Sequence, residues 1–156
     1  MSKVFVATRT HQQISQMVKQ LEDYPHEVKT TILSSRTQSC VQESAHKAHN
    51  MEVACLQLRE QASCNFYNNR EQLAGGMRKE RGHMWDLEDL VLCGKNTSGC
   101  PFYASRLLMQ HAEVVFCPYS YLLDPLVREG TGVDLKNSVS SNCCPVPCED
   151  VIRAER

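Results

Sequence analysis

Nine of the 156 residues are cysteine, and in "LVLCGKNTSGCPFYASR" two of them, Cys93 and Cys100, stand seven positions apart. A thiolate is both a nucleophile and a soft metal ligand, so cysteines matter most where several converge. Cys40, Cys55, Cys64, Cys93 and Cys100 are spread singly through the middle of the chain. None of these five forms the close pair usual in zinc ribbons and fingers. Scattered single thiols can still meet on one centre, as they do around some iron–sulfur clusters. The alternative for each is a small buried hydrophobe. Spacing favours that alternative for Cys55, which shares a helical face with Met51, Ala54 and Leu58. It suits Cys40 less, since "SSRTQSCVQ" is a polar stretch.

Cys93 and Cys100 are separable on physical grounds. "WDLEDLVLCG" reads as a helix with Gly94 just past its end, which puts Cys93 in the last turn. There the helix dipole disfavours a thiolate. Cys100 directly precedes Pro101, and proline is favoured at the first helical position. Cys100 is therefore expected at a helix N-cap, where free N–H groups and the dipole stabilise a thiolate. Of the two, Cys100 is the expected ligand.

These side chains need elements to position them. "KVFVA" reads as a strand and leads into "TRTHQQISQMVKQLED", where Ile14, Met17, Val18 and Leu21 share one helical face. Thr10 and Gln13 make a capping box at the helix start, and Pro25 is expected to end it. "VKTTIL" follows as a second strand, completing the first unit of a parallel α/β sheet. From Ser34 to Gly99 no strand candidate occurs, only short helical stretches such as "NMEVACLQLRE". "NNREQLAGGMRKERGH" is polar and glycine-containing, and is expected to be an exposed, mobile loop. "PFYASRLLMQH" then reads as a helix and "EVVFC" as a strand. An all-helical insert in an α/β frame results. The formal net charge of −1 marks neither a polybasic nucleic-acid binder nor a membrane-surface protein. No apolar run has membrane-spanning length and no signal peptide is apparent, so a reducing compartment is expected.

Taken in order, "VATRTHQQI", "ILSSRTQSCV", "SCNFYNN", "WDLEDLV", "GCPFYASR" and "VVFCPYSYLLDP" resemble the iron–sulfur superfamily 2 DNA helicases. This group includes the XPD, Fanconi group J and telomere-length-regulator helicases. The resemblance covers Lys3 to about Val139, and "SSR", Trp85 and "FCPYSYLLD" look most like the Fanconi group J member. It implies a [4Fe–4S] cluster on Cys40, Cys55, Cys64 and Cys100, in a helical domain inserted into the first RecA-like domain. Cys93 and Cys117 match no ligand position. The implied boundaries are 1–33 for the first part of the RecA-like domain, 34–103 for the cluster domain, and 104–139 for the resumed RecA-like domain.

"TRTH" resembles helicase motif Ia, which implies DNA contacts from Thr8, Arg9, Thr10 and His11. A strand-to-helix turn can hold phosphate on its free N–H groups, and Arg9 and His11 add donors. A well-capped helix start is the plain alternative. By resemblance Arg36 lies near both cluster and DNA, its alternative being a surface arginine. Phe66, Tyr67, Phe102 and Tyr103 are expected to pack around the cluster rather than stack on bases.

Two departures from the family pattern bear on activity. The sequence opens at motif Ia, and no GxxxxGK[ST] phosphate loop occurs in it. Where the family continues into a strand ending in a DEAH box, "SSNCCPVPC" stands at Ser140–Cys148, within a divergent tail at 140–156. Pro145 and Pro147 suit a central strand badly. Cys143, Cys144 and Cys148 read as an accidental cysteine-rich loop. The expectation is a fragment or isoform of an ATP-dependent, nuclear DNA repair or replication helicase. It would meet single-stranded or forked DNA and repair proteins, with no membrane partner, and would not bind ATP and Mg²⁺ productively. Two alternatives stand beside it. One is a zinc-binding interaction module using some of Cys40, Cys55, Cys64, Cys100, His46 and His49. The other is an inactive remnant whose sheet exposes unpaired edges.

Overall fold

The computed structural model describes residues 3–22, 28–80, 84–133, 135, 138–142 and 151–152. Elements run in the order β1 (Lys3–Thr8), α1 (His11–Glu22), β2 (Thr30–Ile32), α2 (Arg36–Ser39), α3 (Glu43–His46) and α4 (Met51–Glu60). They continue with α5 (Asn65–Asn68), α6 (Arg70–Glu80), α7 (Leu87–Thr97), α8 (Pro101–Met109) and β3 (Val114–Pro118). Last come α9 (Ser120–Leu123), α10 (Pro125–Thr131), β4 (Ser138–Asn142) and β5 (Val151–Ile152).

The strands form one sheet in the order β2-β3-β1-β4-β5. β1 pairs in parallel with β3 and β4, β2 pairs in parallel with β3, and only β5 is antiparallel. Alternation along the strands divides the core between two faces. Val6, Ile32 and Phe116 join Ile14 and Val18 of α1 on one face. Phe5, Ala7, Leu33, Val115 and Cys117 join Tyr121 and Leu122 of α9 on the other. Burial on both faces is what a parallel sheet requires. The expected α/β frame with a run of helices between β2 and β3 is therefore present.

Thr10 and Gln13 do form the capping box. The Gln13 N–H donates to Thr10 Oγ1 at 3.4 Å, and the Thr10 N–H donates to Gln13 Oε1 at 3.3 Å. Pro25 lies outside the described residues.

Two expectations are corrected. The segment expected as a mobile loop is α6, with Leu73, Ala74 and Met77 fully buried against the sheet's core. Burying that face outweighs a cost of roughly 1 kcal/mol for each of its two glycines. Residues 81–83, the end of that segment, lie outside the described residues. Second, α7 does not stop before Gly94. It runs to Thr97 and closes on Ser98 in the left-handed conformation (φ 51°). Gly94 is inside the helix because Pro101 presses on it: a Cβ there would lie 2.5 Å from the Pro101 ring. Cys93 thus sits four residues before the helix end rather than in its last turn. Ser140–Asn142 open the divergent tail at 140–156. They complete β4, paired with β1 from Lys3↔Ser138 to Ala7↔Asn142. Cys143, Cys144, Pro145, Pro147 and Cys148 lie outside the described residues.

Candidate metal centre

Each of the four cysteines occupies an element boundary or a helix face that the local sequence fixes. Cys40 follows α2, with its N–H bonded to the Arg36 carbonyl at 2.8 Å. Its own carbonyl lies 2.7 Å from His46 Nε2. Cys55 rides on α4, whose start is capped by Asn50 accepting from the Glu52 and Val53 N–H groups. Cys64 is the N-cap of α5. It is delivered there by a turn in which Ala62 adopts positive φ (51°) and the Ser63 and Cys64 N–H groups both bond the Leu58 carbonyl. Cys100 is the N-cap of α8 with Pro101 at the first helical position, as the sequence implied.

These four thiols line one small cavity of about 10 Å³, together with Ala45, Leu58, Phe66, Tyr67 and Tyr103. All are free thiols. Cys64 and Cys100 are buried, while Cys40 and Cys55 are half-buried. Phe66, Tyr67 and Tyr103 pack into the cavity wall as expected, and Phe102 is buried behind them. Cys93 packs instead beside the sheet's core, and Cys117 is wholly buried in the opposite face. Neither lines the cavity, and neither do His46 and His49. Among the described residues no three His, Cys, Asp or Glu side chains close on a single ion position.

At Cys100 burial and the helix N-terminus act in opposite directions. Burial pushes the Cys100 thiol up to about 11, with Cys40 and Cys64 adding to the shift. The Tyr103 and Phe102 backbone N–H groups favour its thiolate, but burial outweighs them. A helix N-terminus alone therefore does not ionise Cys100. Cys40 is likewise raised by burial and by Cys55 and Cys64, against the Gln42 backbone and Arg36. Each such thiol is harder to ionise beside the others, and a cation bound among them would reverse that.

Arg36 is no surface arginine. Its guanidinium donates to the Tyr103 hydroxyl at 3.2 Å, reaches the Cys55 thiol and lies 4.3 Å from the Phe102 ring centre. A thin ion pair to exposed Glu52 at 3.4 Å is its outermost contact. Its Nε, like that of Arg59, is buried without a hydrogen-bond partner.

Thr8 to His11 stand where β1 leaves the sheet, at the carboxyl edge where open α/β sheets take ligands. Thr8 is buried, with its hydroxyl donating to the Thr10 carbonyl at 2.9 Å, while Arg9 and Thr10 are exposed. His11 faces Gln38 of α2 and Glu88 of α7. One short helix thus meets the motif Ia segment through Gln38 and leads directly into Cys40. Sequence inspection missed Gln38, Arg59 and Leu73. Only Leu73 carried a signal, a helical spacing with Met77 masked by the glycines between them.

In fold, the chain is a partial RecA-like helicase domain. Two solved structures share it: "XPD_Helicase" matches 90% of this chain and 24% of its own with a TM-score of 0.57 at 18% identity. "Truncated XPD" matches 90% and 39%, also at 0.57, with 19% identity. The DEAD_2 domain family matches residues 6–140, and the chain belongs to that family. It is 39% identical over 146 residues to the Fanconi anemia group J protein homolog of Gallus gallus, across 88% of this chain and 12% of that protein. It is 36% identical over 141 residues to the human regulator of telomere elongation helicase 1, across 88% and 11%. The chain therefore spans about an eighth of the length of these relatives.

Proposed function

We propose that Cys40, Cys55, Cys64 and Cys100 hold a [4Fe–4S] cluster in a helical domain over residues 34–103, set between RecA-like parts at 1–33 and 104–139. The observation that carries this reading is the convergence of four thiols, far apart in sequence, on one cavity. Ligation by single cysteines far apart in sequence occurs around iron–sulfur clusters, whereas structural zinc sites usually take their cysteines in close pairs. When bound, such a cluster ties the four chain segments together through iron–sulfur bonds. Arg36 and Arg59, both bonded to the hydroxyl of the cavity-lining Tyr103, supply positive charge beside the thiols.

Thr8, Arg9, Thr10, His11 and Arg36 form the DNA-facing set. The exposed Arg9 and Thr10 meet phosphate at the sheet's carboxyl edge, and α2 joins that edge to the cavity. The chain is the cluster-bearing segment of an ATP-dependent helicase of nuclear DNA repair or replication, acting on single-stranded or forked DNA. The 156 residues contain neither a phosphate loop nor a DEAH pair, so ATP and Mg²⁺ chemistry belongs to the full-length family and not to this segment. Purification without oxygen, followed by iron, sulfide and zinc analysis, tests the centre. Iron and sulfide at about four each per chain are expected. Stoichiometric zinc without sulfide would overturn the cluster.

A further inference from the structure

Arginine guanidiniums and aromatic rings alternate in a row that includes Tyr67 and Tyr103 of the cavity lining. Arg36 lies 4.3 Å from the Phe102 ring centre and 5.9 Å from that of Tyr103. Arg59 lies 4.8 Å from Tyr103 and 4.7 Å from Tyr67. Arg106 closes the inner end at 3.5 Å over Phe102, and Arg70 the outer end at 4.1 Å over Tyr67. At the centre one oxygen takes two charged donors: the Tyr103 hydroxyl accepts from Arg36 Nη2 at 3.2 Å and from Arg59 Nη1 at 2.7 Å.

The placement of this row follows the cysteines. Arg36 lies one helical turn before Cys40, and Arg59 one turn after Cys55. Tyr67 and Tyr103 stand three residues after Cys64 and Cys100. The three residues joined at the Tyr103 oxygen therefore belong to α2, α4 and α8, and Tyr67 packs edge-on against Tyr103 at 4.8 Å to bring in α5. Every element that presents a cavity thiol is fastened to its neighbours through this one phenol. Charge-assisted hydrogen bonds are the strong ones, and in a partly buried site they are little screened.

We propose that the Tyr103 hydroxyl is the positioning group of the cysteine cavity: by gripping Arg36 and Arg59 together it sets the spacing of Cys40, Cys55 and Cys100. The inference rests on the cluster reading, but it concerns the protein's own residues and shows itself with the metal absent. Aromatic packing alone would give the same row of rings without needing the oxygen.

Tyr103→Phe separates the two, because it keeps the ring and removes only the acceptor. In the oxygen-free, iron-loaded chain, the visible absorbance of the cluster should decay under a chelator roughly tenfold faster than in the parent, the scale of one charge-assisted hydrogen bond. In the metal-free chain, iodoacetamide labelling followed residue by residue should speed up at Cys40 and Cys55 and leave Cys117 unchanged. Arg59→Gln should act in the same direction, and adding it to Tyr103→Phe should change little further, since both remove the same contact. If Tyr103→Phe fails to fold by circular dichroism, Arg59→Gln carries both measurements with every ring in place. Decay and labelling indistinguishable from the parent would overturn the inference. A parent chain that takes up no iron and sulfide would overturn the cluster reading, and the labelling would still decide whether Tyr103 positions the thiols.

Discussion

Gly99 stands so close to α6 that a Cβ added to it would lie 2.5 Å from the Cβ of Leu73. Leu73 is fixed in the sheet's core, so it cannot yield. Close approach of backbone to helix is what places the residue before Cys100. Gly99→Ala should therefore cost about 1–3 kcal/mol by overpacking, and should lower iron uptake by displacing Cys100. Gly75→Ala is the contrast. Nothing lies within 4 Å of its new methyl, and α6 should gain about 0.5–1 kcal/mol. Denaturant midpoints of the two variants would move in opposite directions. Equal midpoints would show that Gly99 is not held against Leu73.

Cys100 and Cys93 lie seven positions apart but in different environments. Cys100→Ser removes one of four thiols from the cavity and should lose most bound iron and loosen the helical segment, because metal binding and folding are coupled. Cys93→Ser changes a side chain packed beside the core at the far side of Gly94, and should retain its iron with a modest loss of stability. The comparison is iron per chain and protease resistance in both variants. Equal retention, or loss in Cys93→Ser alone, would reassign the ligand.

The two cases also show what could be read from residues in a row. The strands, the Thr10–Gln13 box and the proline after Cys100 were legible because each is a local preference satisfied by neighbours. So was the helix N-cap position of Cys100. Its helix N-terminus favours the thiolate, but burial dominates, and no sequence pattern reports burial. Helix α6 was misread because its two glycines signal a loop locally, whereas Leu73, Ala74 and Met77 are held by a sheet assembled from distant segments. Gly94 likewise resembles a helix stop until Pro101 is seen against it. The grip of Tyr103 on Arg36 and Arg59 spans 67 and 44 positions and leaves no trace in spacing.

His11 supplies a pH dependence. Burial holds its imidazole below the ordinary histidine range, against the opposing effects of Gln38 and Glu88, and its Nδ1 is buried without a partner. The unfolded chain therefore binds the proton first as pH falls. Stability should be full above the unfolded value of about 6.5 and decline below it, until the folded imidazole itself protonates. His11→Gln should flatten the change in thermal midpoint between neutral and mildly acidic pH. A parent and variant with parallel pH profiles would remove His11 from this role.

Arg9 offers the cleanest test of the proposed DNA-facing edge, since it is exposed and its substitution leaves the core untouched. A phosphate contact releases counterions, so single-strand affinity should fall with salt, and loss of one contact should lower the slope by about 0.7. Arg9→Ala should thus bind single-stranded DNA more weakly whatever the base sequence, with a shallower salt dependence and an unchanged thermal midpoint. Because the contact is to phosphate, it carries no base preference of its own. ATP should alter neither quantity in the 156-residue chain, which contains no phosphate loop. Fluorescence anisotropy over a salt series gives affinity and slope together. An Arg9→Ala chain with the parent's affinity and slope would place the DNA track elsewhere on the sheet edge.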